Sequence, residues 1–276
     1  MKKTLLLATA LLFTACSTQT PQPKPLSFKS IDLLDKYGIN EDSLIKYKNA
    51  YYFVVEAPQG AKIVKLDKNY KEVWHKTTPI VVEPIKTVIA NDTIYLLGYD
   101  QKKNLPVLLE FSLDSKLKKI SYYGKKFDIP RDLIIINHTP YVGITHYSKN
   151  NDSDIVIYGG KRTITLSTPN MDNVTFIKPY KNGILIIGST QNRNDDVLIA
   201  YKTLENKTIW SKKLDMGMDE APLSVEIKNN LIYLKVTSTD HMGAETEATF
   251  IIDDKGNIKS VKKGIEFKQL PVKYRT

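Results

Sequence analysis

The sequence predicts an all-β fold made of five repeated units of four strands, and three observations support this prediction. Short apolar runs recur about every ten residues, which is typical of all-β proteins. One strand–loop–strand unit recurs at steps of roughly 43 to 48 residues, which is the spacing of blade-type repeats. The only two tryptophans, Trp74 and Trp210, stand at matching places in two of these units.

The clearest copy of the unit covers residues 181–214. A turn pair, Asn182 and Gly183, precedes the continuous apolar run of residues 184–187, as expected for a strand that is buried on both faces. A polar loop is predicted at residues 191–196, and the chain is β-rich again after it. The four predicted strands of this unit are residues 174–177, 184–187, 197–201 and 208–211.

The same order of runs recurs along the chain. The predicted second strands begin near Tyr51, Ile94, Tyr141, Ile184 and Ile232. The predicted third strands are residues 62–66, 107–111, 155–158, 197–201 and 249–252. The repeats therefore cover about residues 40–78, 79–124, 125–169, 170–214 and 215–264. Because a four-stranded sheet cannot bury both of its faces alone, and radial packing of such sheets does so, we predict a five-bladed β-propeller rather than an open β-solenoid.

The central unit resembles a bacterial propeller repeat with the pattern I-x-x-G-x-T … D-x-x-L-x-K-L-D-x-x-G-x-x-x-W-x-K. The matching residues are, in part, 187–190, then Asp196, Leu198, Ile209, Trp210 and Lys212, and the second half of the pattern matches residues 63–67 and 73–76. The unit is also similar to the repeat of quinoprotein-like propellers, which include the envelope assembly lipoprotein BamB. This resemblance covers roughly residues 40–264 and implies a propeller fold.

The first 15 residues are expected to be a lipoprotein signal peptide. Lys2 and Lys3 form its positive region, and residues 5–13 form its apolar region. The segment that ends in Cys16, L-F-T-A-C, resembles a bacterial lipobox, which implies cleavage before Cys16 and acylation of its thiol and amine. The alternative is an ordinary secretory signal with a coincidental cysteine. Ser17 after the cysteine implies, by the same resemblance, the outer membrane.

Residues 16–27 are predicted to be the lipidated cysteine and a flexible tether, followed by the propeller domain at residues 28–276. The tether is polar and rich in proline, so it is expected to be extended and to reach roughly 30 Å. Residues 26–40 could form a short helix or the extra strand that closes the ring, and residues 265–274 are the other candidate for closure. The expected location is the cell envelope, on either side of the outer membrane.

The amino-acid composition of the chain limits the kinds of protein that it can be. The chain has a mean hydropathy of −0.29 and 42% hydrophobic residues, which is typical of one large globular core. Its net charge is +10, and removal of the signal with Lys2 and Lys3 leaves +8. The excess is nearly all lysine, whereas specific nucleic-acid recognition favours arginine, so no nucleic-acid partner is expected. The lysines either form an ordinary solvated surface or attract anionic lipid headgroups or an acidic partner.

Most sequence signatures of enzymes are missing, and we favour a non-enzyme over an enzyme. There is no phosphate-binding glycine loop, no G-x-S-x-G and no H-E-x-x-H. The single Cys16 leaves no thiol for a disulfide, a zinc site or a nucleophile in the mature domain. No catalytic residue, cofactor or metal site is therefore predicted.

A propeller places the loops between second and third strands and the connections between blades on one face, and this face is the expected binding surface. The candidate binding residues there are Asp100, His146, Asp152, Asp154, Asp195, Asp196, Met216, Met218, His241 and Met242.

Two groups within this set allow more specific alternatives. The methionines with His241 could bind Cu(I), or the methionines could simply fill gaps in the last blades. Four of the aspartates, Asp152, Asp154, Asp195 and Asp196, fall on equivalent loops of adjacent blades. They could bind Ca²⁺, could act as a carboxylate pair on glycosides, or could be ordinary turn residues.

The preferred function is a lipid-anchored envelope scaffold that binds another envelope protein through this face. The alternative is a carbohydrate-binding or glycan-cleaving propeller. Carboxylates that converge in the central funnel would favour the enzyme, and apolar side chains there would favour the scaffold.

Overall fold

The computed structural model describes residues 36–39, 43–148, 152–160 and 162–263. The chain divides into two units, residues 1–42 and 43–276, and all described strands belong to the second unit. The tether and both candidates for ring closure lie outside the described residues, apart from residues 36–39. In the described part of the chain, no helix has the length and apolar character needed to cross a membrane.

Twenty strands form five antiparallel four-stranded sheets, and in every sheet the strands lie in chain order. The first sheet contains β1 (Ile45–Tyr47), β2 (Ala50–Ala57), β3 (Gly60–Leu66) and β4 (Glu72–Thr77). The second contains β5 (Val82–Ala90), β6 (Thr93–Asp100), β7 (Leu105–Ser112) and β8 (Leu117–Tyr122). The third contains β9 (Ile129–Ile136), β10 (Thr139–Tyr147), β11 (Ser153–Gly159) and β12 (Arg162–Leu166). The fourth contains β13 (Met171–Tyr180), β14 (Gly183–Gln191), β15 (Asp195–Thr203) and β16 (Thr208–Leu214). The fifth contains β17 (Asp219–Lys228), β18 (Leu231–Thr239), β19 (Glu245–Ile252) and β20 (Ile258–Lys263).

The prediction of five four-stranded blades is confirmed. The predicted polar loop at residues 191–196 is wrong in its length, because Gln191 still pairs with Asp195 and Thr190 with Asp196. Only residues 192–194 remain as a loop, and both aspartates begin β15.

Apolar side chains of neighbouring sheets pack together, which explains why the central strands lack a polar face. In β14, Ile184 and Ile186 lie in a buried cluster with the third sheet, while Leu185 and Ile187 lie in a cluster with the fifth sheet. Further clusters join the first sheet to the second and the second to the third. The four clusters therefore join each sheet to the next one along the chain. None of the four contains residues of both the first and the fifth sheet.

The first strand of a blade is its innermost strand, and four of these strands share a β-bulge at the same register. The residue before the bulge pairs with Gly98 in blade 2, Ile144 in blade 3, Gly188 in blade 4 and Val236 in blade 5. The extra, unpaired residues are Ile85, Arg131, Thr175 and Leu223. A bulge leaves one residue of the ladder unpaired and re-aims its side chain, so the four innermost strands each change direction at the same level.

The two tryptophans make the same hydrogen bond in different blades. Trp74 Nε1 donates to the carbonyl of Leu113, 3.2 Å away, in the β7–β8 turn of the next blade. Trp210 Nε1 donates to the carbonyl of Asp254, 3.1 Å away, in the β19–β20 turn of the next blade. The matching positions in the sequence therefore reflect one repeated contact between blades.

Candidate binding face and acidic cluster

The loops between second and third strands and the connections between blades lie on one face of the propeller, here called the loop face. The loops are residues 58–59, 101–104, 148–152 (of which 149–151 are not described), 192–194 and 240–244. The connections are residues 78–81, 123–128, 167–170 and 215–218.

A buried carboxylate stands at the start of the innermost strand in three blades. These junction acids are Asp128, Asp172 and Glu220, with 0%, 0% and 1% of their surface exposed. Each lies beside the loop-face end of the second strand, where Asp128 contacts His146, Asp172 pairs with Thr190, and Glu220 pairs with Ser238. The repeated position indicates a shared structural task, which is to accept the N–H groups of the connection between blades.

The first two junction acids have partners for both oxygens. Asp128 accepts from the backbone N–H of Lys125 at 2.7 Å and of Tyr147 at 3.3 Å, and its Oδ2 lies 2.8 Å from Nδ1 of His146. Asp172 accepts from the backbone N–H and the hydroxyl of Thr168. Burial raises the pKa of Asp172 above its usual range, although these hydrogen bonds oppose the change.

The third junction acid has an oxygen without a partner. Glu220 Oε1 accepts from the backbone N–H of Met218 at 3.0 Å and from the hydroxyl of Ser238 at 3.2 Å. Among the residues that the structure describes, Glu220 Oε2 is the one buried side-chain polar atom with no hydrogen-bond partner. Burial raises the pKa of Glu220 to about 7, and the nearby charge of Asp196 adds to the increase.

Asp196, Asp215 and Glu220 form what we call the acidic cluster, since they present carboxylate oxygens that all lie within 4.8 Å of one another. The ammonium of Lys213 lies 2.5 Å from Asp196 Oδ2 and 4.0 Å from Asp215 Oδ2. Asp196 and Glu220 are buried, whereas the side chain of Asp215 is 22% exposed. The cluster therefore holds negative charge at the junction of blades 4 and 5, with an opening on the side of Asp215.

Two further carboxylates lie beside the cluster. Asp219 Oδ1 accepts the backbone N–H of Asp195 at 3.2 Å. Burial raises the pKa of the Asp195 carboxyl, and the charges of Asp219 and Asp196 raise it further. Five carboxylates and one lysine thus share this junction in a chain whose overall charge is positive.

A groove of about 480 Å³ lies on the loop face between blades 1 and 2. Tyr122 donates its hydroxyl to Asp100 Oδ2 at 2.9 Å, and the Lys103 ammonium lies 3.9 Å from the centre of the Tyr122 ring. Asp100 Oδ1 accepts the backbone N–H groups of Lys102 and Lys103. The groove is lined by Pro58, Gln59, Pro79, Ile80, Val81, Asp100, Lys102, Lys103 and Tyr122. It combines an apolar surface with two lysines, of which Lys103 packs its ammonium on the Tyr122 ring.

A second cavity, of about 520 Å³, opens beside the bulges of blades 3 and 4. It is lined by Arg131, Asn173, Val174, Thr175 and Ser189. The bulge residues of the other two blades, Ile85 and Leu223, are apolar and 37% and 42% exposed. None of the four bulge residues is a carboxylate.

The structure distributes the predicted binding residues over several places. Asp100 lies in the groove, His146 lies on Asp128, and Asp195 and Asp196 lie at or beside the acidic cluster. Asp154 pairs with His146 across β10 and β11, and Asp152 accepts the neighbouring N–H of Ser153.

The methionines and His241 are also spread out. Met216 is buried in the cluster between sheets 4 and 5, whereas Met242 is 94% exposed in the β18–β19 turn with His241. Met218 lies in the connection before β17 and donates to Glu220. The structure therefore gives these side chains different surroundings.

Sequence reasoning missed Asp215, Glu220 and Lys213. A signal was present, because Asp215 lies in the connection between blades 4 and 5, and Asp219 and Glu220 directly follow that connection. The repeated junction acid could have been found only by aligning the bulges, which have no clear sequence pattern.

The titration of Glu220 gives a testable pH dependence. Its folded pKa of about 7 lies above the ordinary 4.5, so the stabilising effect of its proton is complete below pH 4.5 and is lost as the pH rises through 7. In chelator-containing buffer we expect the free energy of unfolding to fall by on the order of 3 kcal/mol between about pH 5 and pH 8. Glu220→Gln should remove most of this slope in urea titrations, and the exposed Glu226→Gln should retain it. Equal slopes in all three proteins would contradict the assignment.

No protein-family model matches the sequence, and no curated protein matches it. Solved structures do match. Hydrazine synthase from Kuenenia stuttgartiensis has a TM-score of 0.57 at 10% identity, over 78% of this chain and 62% of that one. Dihydro-heme d1 dehydrogenase NirN has a TM-score of 0.52 at 12% identity, over 80% of this chain and 46% of that one. The extracellular domains 1-2 of Drosophila semaphorin 1a have a TM-score of 0.50 at 11% identity, over 83% of this chain and 57% of that one.

These likenesses concern the fold alone. The chain spans about half to three fifths of the length of these neighbours, whose activities differ from one another. Together with the five four-stranded sheets, they show that the chain is a β-propeller.

Proposed function

We propose that this chain is a lipid-anchored envelope protein that binds another envelope protein through the loop face of its propeller. The observation that carries the proposal is the groove between blades 1 and 2, because apolar surface lies there beside the Lys102 and Lys103 side chains, and the Lys103 ammonium packs on the Tyr122 ring. Such a combination suits an extended segment in which acidic and apolar residues alternate.

The anchoring half of the proposal is supported by the sequence around Cys16. A diacylated and N-acylated cysteine would hold the chain on a membrane, where one acyl chain alone would give only marginal binding. The polar tether after it would then let the propeller turn its loop face toward a partner.

The bulge residues and the acidic cluster do not favour the glycan-cleaving alternative. The four bulge residues of the innermost strands include no carboxylate, and the carboxylates that do converge include Asp196 and Glu220, which are 4% and 1% exposed. A sugar ring needs both catalytic carboxyl groups open to the substrate. Binding on the loop face is therefore the function that the geometry supports best.

The test is crosslinking in intact cells followed by purification through a C-terminal tag and mass spectrometry. The double variant Lys102→Glu, Lys103→Glu reverses the charge of the groove, and we expect recovery of the partner to fall at least about tenfold. Lys68→Glu with Lys71→Glu is the matched control, because both lysines are exposed in the β3–β4 turn on the opposite face. Equal recovery from both double variants would place the contact elsewhere, and a folded wild type that captures no protein would overturn the binding function.

A further inference from the structure

The acidic cluster differs from the equivalent junctions of the other blades. Asp128 and Asp172 each end with both oxygens hydrogen-bonded, and neither belongs to a group of three metal-ligating side chains in the part of the chain that the structure describes. In blade 5 the junction acid is a glutamate, whose longer side chain leaves Oε2 buried and without a partner. Two more carboxylates have been brought within 4.8 Å of it.

A buried carboxylate oxygen without a partner is costly, so it requires an explanation in physical terms. The Lys213 ammonium neutralises part of the cluster, but it sits on Asp196 and lies 4.0 Å from Asp215. One ammonium cannot balance three carboxylates, and Asp195 and Asp219 add negative charge at the edge. Glu220 thus offers one buried oxygen without a partner, beside two further carboxylates and an excess of negative charge.

We propose that Asp196, Asp215 and Glu220 form a binding site for a divalent cation, with Ca²⁺ as the best match. All three side chains offer hard oxygen ligands, and three carboxylates can supply between three and six oxygens to a cation that takes about 6 to 8. Softer metals are disfavoured, because the three side chains of the cluster offer carboxylate oxygens and no nitrogen or sulfur ligand. Water would complete the shell on the open side, at Asp215.

The position of the site suggests its effect. Asp196 is the second residue of β15 in blade 4, Asp215 lies in the connection, and Glu220 is the second residue of β17 in blade 5. A cation held by all three would join two blades at the loop face, and the Lys213 ammonium would move away from Asp196. This inference does not depend on the proposed protein partner.

Isothermal titration calorimetry with CaCl₂ on the purified full chain in detergent tests the proposal, with thermal unfolding measured in parallel. We expect one saturable site and a rise in the unfolding temperature of several degrees, because a ligand that binds only the folded state stabilises it. Asp215→Asn should weaken binding by at least about tenfold, since affinity follows the charge of the ligand set. Asp215 is partly exposed, so this variant should fold. MgCl₂ should bind more weakly, because Mg²⁺ demands a regular octahedron.

The variant Lys213→Gln distinguishes a metal site from a purely structural ion pair between Lys213 and Asp196. Removal of the competing ammonium should tighten Ca²⁺ binding, whereas a purely structural lysine would affect stability and not affinity. Asp114→Asn is the matched control, because Asp114 is exposed in the β7–β8 turn and pairs with Lys116. Absence of saturable Ca²⁺ binding to wild type, or equal affinities for Asp215→Asn and Asp114→Asn, would overturn the proposal. Failure of the partner experiment would leave these results unchanged, so the two proposals stand or fall separately.

Discussion

A Cys16→Ala variant is expected to disappear from the membrane fraction and to incorporate no labelled palmitate. Cys16 is the only cysteine in the chain, so no other thiol can accept a diacylglyceryl group. Several acyl chains bind a bilayer stably because each buried CH₂ contributes about 0.8 kcal/mol, and the variant lacks the thiol that the proposed acylation requires. The measurement is metabolic labelling with palmitate, followed by fractionation of the cells and detection of the C-terminal tag.

Ser17→Ala is the matched control, because it changes the neighbouring residue and leaves the acceptor thiol in place. This control should be labelled and should remain in the membrane fraction. An intact mass of the wild-type protein that corresponds to an unmodified N-terminus would contradict acylation, and it would favour an ordinary secretory signal instead. Release of both the wild type and Cys16→Ala into the soluble fraction would lead to the same conclusion.

The sequence is informative about the blades because their core depends on local patterns. The run at residues 184–187 is apolar without interruption, and the structure explains why, since alternate side chains contact the third and the fifth sheets. The two tryptophans likewise mark equivalent places, because each bonds the outer turn of the next blade. Repetition in the sequence therefore reflects contacts that every blade repeats.

Loops and sites are harder to predict, because the polar residues near strand ends do not recur at regular intervals along the sequence. Asp195 and Asp196 look like turn residues, yet they pair with Gln191 and Thr190 and extend the ladder. The acidic cluster unites side chains from two blades, and nothing local connects Asp196 to Glu220. The bulges cannot be recognised in the sequence either. Their extra residues occupy the same register but have unrelated side chains: Ile85, Arg131, Thr175 and Leu223.

Asp132 illustrates such a hidden contact, and its replacement should have the largest effect on stability among the polar residues described above. It lies on β9 directly after the bulge and is 3% exposed. Its Oδ2 accepts the backbone N–H of Ile177, on the innermost strand of blade 4, at 2.9 Å. Its Oδ1 accepts the N–H of Leu133 at 2.9 Å and lies 3.6 Å from the ammonium of Lys86 in blade 2. One carboxylate thus connects the innermost strands of three blades.

We expect Asp132→Ala to lower the free energy of unfolding by on the order of 3 kcal/mol, measured by urea denaturation. Most of the loss arises because the N–H of Ile177 remains buried without an acceptor, and hydrogen bonds to a charged group are stronger than neutral ones. Asp132→Asn is the matched control, since its amide oxygen can still accept from Ile177, and it should cost less than half as much. Lys86→Met should cost only about 1 kcal/mol, because that ammonium is partly exposed and screened. If Asp132→Ala cost no more than Lys86→Met, the contact with the backbone of blade 4 would not be what holds these strands together.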